Sequence, residues 1–209
     1  MAGIDVVGIL IQFVALIASL SVHEAAHAWS ADRLGDPTAR LLGRVTLNPA
    51  AHVDPIGTIL FPLIAMFTRV PLIGWAKPVP VSVQNLRGNW RQQYMLIAAA
   101  GPASNLALAV GAAVIYRVLF GSPFEHSGLG AQLVILLVQL NILLALFNLV
   151  PVPPLDGGNV LAGLLQGSAA DSFERIRPYG IFIIYGLMLT GVLWRVLGPI
   201  METLISVLL

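Results

Sequence analysis

Residues His23, Glu24, Ala25, Ala26 and His27 spell H-E-x-x-H. On a helix, positions i and i+4 lie one turn apart on the same face. Two imidazoles at that spacing can hold one metal ion, while Glu24, about 100° round the helix, points at water bound to it. The chemistry such a set could do is metal-assisted hydrolysis. The plain alternative is a pair of helix histidines bonded to nearby backbone. Against it, three ionisable side chains fall within five residues of a segment that is otherwise nearly charge-free, and in an apolar medium such groups are costly and mark function. With no cysteine in the chain, a metal here must be held by histidine and carboxylate, and no disulfide framework or thiolate nucleophile exists.

The elements that must position these residues belong to a membrane protein. The chain is 57% hydrophobic and 10% charged, with a mean hydropathy of +0.87, whereas soluble domains carry about a quarter charged residues. A net charge of +1 and the lack of any Lys/Arg run give no footprint for nucleic acid. The N-terminus has no basic n-region, and the apolar run from Ile4 passes straight into His23-Glu24, so a retained transmembrane helix is expected rather than a signal peptide. No stretch outside the apolar segments exceeds roughly 25 residues, too few for an appended soluble domain. A single domain over residues 1–209 is expected, with its core at 4–30, 94–120 and 131–158.

The spacing predicts spans over Ile4 to Ser30, Tyr94 to Phe120 and Ala131 to Leu155. A fourth is expected among the 17 uncharged residues between Arg177 and Arg195, with Tyr179, Phe182, Tyr185 and Trp194 toward its ends. Gly198-Pro199 is expected to break or kink the chain and leave a short C-terminal helix. The apolar stretch from Ile56 to Phe67 is too short for a full crossing and is bracketed and interrupted by prolines, which suits a re-entrant or partly buried piece. The fold class is therefore an all-α polytopic membrane protein: a helix bundle with about four full spans, one short or re-entrant segment and a short C-terminal helix.

Basic residues orient this bundle. If the short segment does not cross, Arg33, Arg40, Arg44, Arg69, Lys77, Arg87 and Arg91 share one side with Arg175 and Arg177, which the positive-inside rule makes cytoplasmic. His23 and His27 then lie roughly 6 to 15 Å below that interface, by helical rise. The third span runs to the same side and ends in Asn148-Leu-Val-Pro151-Val-Pro153-Pro154-Leu-Asp156-Gly157-Gly158. A catalytic zinc needs a third protein ligand and an open position, and two histidines with one carboxylate is a known set. Asp156 is the acidic residue presented by an irregular Pro/Gly segment at that depth. Its alternative is a tight turn in which Asp156 accepts backbone N–H groups. Gly101-Pro102-Ala103-Ser104-Asn105 reaches a similar depth in the second span, where Asn105 either packs between helices or positions substrate. His52 is expected either near the zinc or bonded to Asp54, and His126 in the outer loop is given no role.

With H-E-A-A-H at 23–27, G-P-A-S-N at 101–105 and N-L-V-P-V-P-P-L-D-G-G at 148–158, the chain resembles the site-2 protease family of intramembrane zinc metalloproteases. L-N-P-A-A-H-V-D-P-I-G-T at 47–58 and G-W-A-K-P-V-P-V at 74–81 resemble its compact prokaryotic branch, which lacks regulatory domains. The resemblance implies one Zn2+ per chain, held by His23, His27 and Asp156, and Glu24 as general base. It further implies Asn105 and Asn148 in substrate or oxyanion binding. The partners it implies are the lipid bilayer and a transmembrane segment of a membrane-protein substrate; homo-oligomerisation is left open. The location implied is a prokaryotic inner membrane, with the site toward the cytoplasm. Lys77 to Val83, extended by its prolines, is expected as a loop resting on the membrane, with edge-on pairing to substrate as the alternative. Two other functions fit the same residues less well. A metal-ion carrier would need a polar path to both faces, and an inactive helix-binding scaffold has no use for Glu24.

Overall fold

The computed structural model describes residues 6–68, 74–121 and 128–209. Ile4, where the first span is expected to begin, Arg69 and His126 lie outside these residues. Among the described residues every regular element is helical. Three helices are long and apolar enough to cross a membrane: α1 (Val6–Arg33), α4 (Trp90–Phe120) and α5 (Leu129–Asn148). Between α1 and α4 lie two short pieces, α2 (Thr38–Leu41) and α3 (Phe61–Thr68). After α5 come α6 (Asp156–Leu164), α7 (Gly167–Ile176), α8 (Gly180–Leu189) and α9 (Val192–Leu208).

α4 is the centre of the bundle, packing on α1, α5 and α6, while α9 lies against α5. Small residues let these helices approach closely: Ala15, Ala28 and Ala31 of α1 and Ala98, Gly101, Ala109 and Ala113 of α4 are all buried. In lipid the driving force is packing rather than removal of apolar surface from water, so small side chains at the contact are what dispersion requires. α4 begins four residues before the expected Tyr94, because the Asn89 side chain accepts the Arg91 N–H at 3.0 Å and caps the helix. α5 stops at Asn148, short of the expected Leu155, since Pro151, Pro153 and Pro154 cannot donate to a continuing ladder.

Pro55–Leu60 forms a wide helical turn that runs into α3. Together they reach about 21 Å at helical rise, short of the roughly 30 Å hydrocarbon core. The extended segment after it is tied to this piece, with Trp75 N–H donating to Gly57 O at 3.1 Å and Thr58 Oγ1 to Trp75 O at 2.8 Å. Further along, Lys77 N–H donates to His52 O at 2.8 Å and the Arg44 guanidinium donates to Lys77 O. Asp36 gathers the rest, accepting from Ser82 N–H at 2.6 Å, the Thr38 hydroxyl and the Asn85 amide. Burial works against its ionisation, but these donors outweigh that and hold its carboxyl below the usual carboxylate range.

The fourth apolar region differs from expectation. α8 and α9 meet at a 73° bend, and the break falls at Thr190-Gly191 rather than at Gly198-Pro199. Gly191 has φ +73°, a left-handed conformation that costs glycine little and ends α8. Pro199 sits inside α9, where a transmembrane helix tolerates one missing backbone bond.

Candidate metal centre

His23 and His27 arise from the face of α1 turned toward α4, and both are buried at 4% and 7% exposure. Each ring is oriented by its Nδ1. That of His23 donates to Asn105 Oδ1 at 2.6 Å, and that of His27 donates to Ile97 O at 2.7 Å. Both partners are acceptors, so each ring carries a proton on Nδ1 and turns Nε2 toward the other. The two Nε2 atoms lie 3.1 Å apart.

Asp156 opens α6, with Gly157 and Gly158 behind it. A Cβ on Gly158 would fall 2.5 Å from Pro153 N, and one on Gly157 would fall 2.6 Å from Val150 O. Only glycines let α6 start this close to the 149–153 turn, and that closeness delivers the carboxylate. Asp156 Oδ2 lies 3.1 Å from His23 Nε2 and 3.3 Å from His27 Nε2. It is buried and no backbone N–H donates to it, so Oδ2 does not cap the turn as the plain alternative required. Two ring nitrogens and a carboxylate oxygen thus converge on one point, a donor set that suits a cation. Zinc bonds of about 2.0 to 2.1 Å in a tetrahedron put ligand atoms about 3.3 Å apart, which is the spacing observed. The group His23, His27 and Asp156 fits a metal ion.

Gly101 completes the cradle. A Cβ there would fall 2.6 Å from His23 Nε2 and closer still to His27 Nε2. Its part goes beyond general helix packing, since no side chain can stand on the metal-facing side of the two rings.

The centre opens on a cavity of about 600 Å³ lined by His23, Glu24, His27, Asn148 and Asp156. Glu24 is half-buried, and no hydrogen bond or ion pair ties it down among the described residues. Asn148 donates one amide N–H to Leu144 O at 2.9 Å, leaving the rest of its amide to the cavity. Trp75, Ala76, Val79 and Val81 form one wall. Asn105 is placed differently from its expected role in substrate binding. It is fully buried behind His23, with Oδ1 taken by the ring and Nδ2 donating to Asn141 Oδ1 at 2.8 Å. His52 is also placed apart from Asp54, with Nε2 donating to Thr46 O at 2.8 Å while Asp54 caps the turn at Ile56 and Gly57. Asn141 was missed by sequence reasoning, although a polar amide within an apolar span was signal enough.

The family model "Peptidase family M50" matches residues 122–191, which include Asn148 and Asp156. The "Putative zinc metalloprotease YwhC" of Bacillus subtilis (strain 168) is 37% identical over 194 residues, covering 90% of this chain and 84% of that protein. The "Putative zinc metalloprotease Rip2" of Mycolicibacterium smegmatis is 29% identical over 192 residues, covering 90% and 71%. No solved structure matches the chain significantly. The chain belongs to peptidase family M50, the site-2 protease family. It is a zinc metalloprotease with an all-α membrane fold.

Proposed function

We propose that this chain is an intramembrane endopeptidase, in which His23, His27 and Asp156 hold one zinc ion and Glu24 is the general base. The observation that carries this reading is the convergence of two ring nitrogens and a carboxylate oxygen, 3.1 to 3.3 Å apart, beside a cavity that also holds a free carboxylate. His27 and His23 lie about 9 and 15 Å from the Arg33 end of α1 by helical rise, which supports a site below the membrane surface. Arg33, Arg40, Lys77, Arg87 and Arg91 cluster around that end in sequence, which supports a cytoplasmic orientation in a prokaryotic inner membrane.

Zinc bound there supplies a Lewis acid that lowers the pKa of water toward neutrality and polarises a peptide carbonyl. Glu24 takes the proton from the attacking water and returns it to the departing amine. Asn148 offers its remaining amide hydrogen and its oxygen to the substrate backbone. The substrate is a transmembrane segment of another protein. Its peptide groups are bonded within a helix, so it unwinds locally before it lies in the cavity beside the extended 74–82 segment.

The test is cleavage of a membrane-anchored reporter in proteoliposomes. Glu24→Gln is expected to lower the rate at least about 100-fold, the scale of general-base catalysis, with one zinc per chain retained. Cleavage at the wild-type rate in that variant overturns the assignment of Glu24. Preference for a soluble peptide over the membrane segment overturns the substrate class.

A further inference from the structure

We propose that Asn141, in the middle of α5, is a positioning residue for His23: acting through the Asn105 amide, it determines which ring nitrogen of that histidine faces the metal. The inference rests on His23 being a zinc ligand, as proposed above.

The two histidines are oriented by different means. His27 donates to the backbone carbonyl of Ile97, which can only accept. His23 donates to a side-chain amide, and an amide can stand either way round. With the Asn105 oxygen toward the ring, the proton sits on Nδ1 and Nε2 is bare. With the NH2 group toward the ring, the proton would be driven to Nε2, where a metal needs the lone pair.

What decides between them lies on the far side of Asn105. Its Nδ2 donates to Asn141 Oδ1 at 2.8 Å and reaches Ser19 O at 3.5 Å. Asn141 is itself locked, since its Nδ2 donates to Leu137 O at 2.9 Å and to Ser19 Oγ at 3.0 Å. The Leu137 carbonyl is backbone and accepts only. It forces the Asn141 nitrogen toward itself, hence the Asn141 oxygen toward Asn105, hence the Asn105 oxygen toward His23. Ser19, Asn105 and Asn141 are each 1% exposed or less, so no water can substitute for a missing member or reverse the chain. The relay spans α5, α4 and α1, and it carries orientation rather than charge.

Partners that orient a ligating histidine typically contribute 10- to 100-fold to metal affinity, so an effect of about that size is expected. The experiment measures zinc affinity by chelator competition on the detergent-purified full chain, alongside nitrogen NMR of labelled histidine in the metal-free protein. Asn141→Leu removes the acceptor while keeping the branched shape of the side chain. It is expected to weaken zinc about 10-fold or more and to shift the tautomer signal of His23 while that of His27 stays. Asn141→Asp keeps an oxygen toward Asn105 and is expected to restore most of the affinity. Should the leucine variant not fold, Asn141→Ser, whose hydroxyl is too short to reach Asn105, carries the same expectation. Unchanged affinity in the variants lacking the acceptor, equal loss in the aspartate variant, or equal shifts at both histidines overturns the relay. His23→Ala is the control for the reading beneath it: zinc bound as in wild type in that variant removes His23 as a ligand and leaves the Asn141 geometry without this purpose.

Discussion

The cavity-side layer of the bundle and the layer next to it are held together by different forces. In the first, α1, α4 and α5 meet through Ser19, His23, Asn105 and Asn141, buried and hydrogen-bonded to one another. In the second, α4 and α5 meet through Ala109, Ala112, Ala113, Val138 and Ile142, with Leu204 and Ile205 of α9 packed alongside. The apolar layer supplies contact area and accepts substitution in proportion to volume. In the polar layer, orientation matters, and one misplaced donor changes what the neighbouring ring presents. Assembly and chemistry should therefore be separable by mutation.

The comparison can be broken or sharpened in order of expected effect. Asp156→Ala removes one of the three proposed ligand atoms, and zinc content measured by mass spectrometry is expected to fall from one per chain to near zero, with helicity by circular dichroism unchanged. Zinc retained at full occupancy would show that the polar layer holds metal without its carboxylate. Gly101→Ala comes next: the ring tips must yield to the new Cβ, so chelator competition is expected to show zinc weakened by about 10-fold or more, on the scale of misoriented ligands. Overpacking two buried, hydrogen-bonded rings is also expected to cost about 1 to 3 kcal/mol of unfolding stability, more than the helix propensity of alanine over glycine returns.

Val138→Ala probes the other layer. Loss of packing there is expected to cost about 1 to 2 kcal/mol in reversible unfolding, while the folded fraction binds zinc as wild type. A parallel drop in zinc affinity would merge the two layers. The smallest effect is expected from Arg40→Ala at the ion pair with Asp32, 2.9 Å long with the arginine side chain 62% exposed. Solvent screening leaves at most about 0.5 kcal/mol there, and cleavage should be unaffected.

Several of these features could be read from the chain before any fold was known. The i, i+4 spacing of His23 and His27 specifies a shared helix face, and 1.5 Å of rise per residue put Asp156 at a matching depth. Three long spans followed from apolar length alone. The break in the fourth region was misplaced because Gly198-Pro199 is the stronger local signal, whereas the bend follows from a single positive φ at Gly191. Asn105 stayed open between interhelical packing and substrate positioning, because depth does not tell which side of a helix faces a cavity. Asn141 went unread because it has no charge and belongs to no recognisable motif.

Residue types and spacing alone determined the zinc-binding chemistry, the membrane setting and the face of α1 that carries the ligands, since helical periodicity and the cost of charge in lipid are local properties. Tertiary structure decided the rest. It brought α6 close enough for Asp156 to meet two ring nitrogens, left clearance at Gly101, and ran the amide chain from Leu137 to His23. Each of those depends on distances between helices far apart in sequence, and packing alone sets such distances.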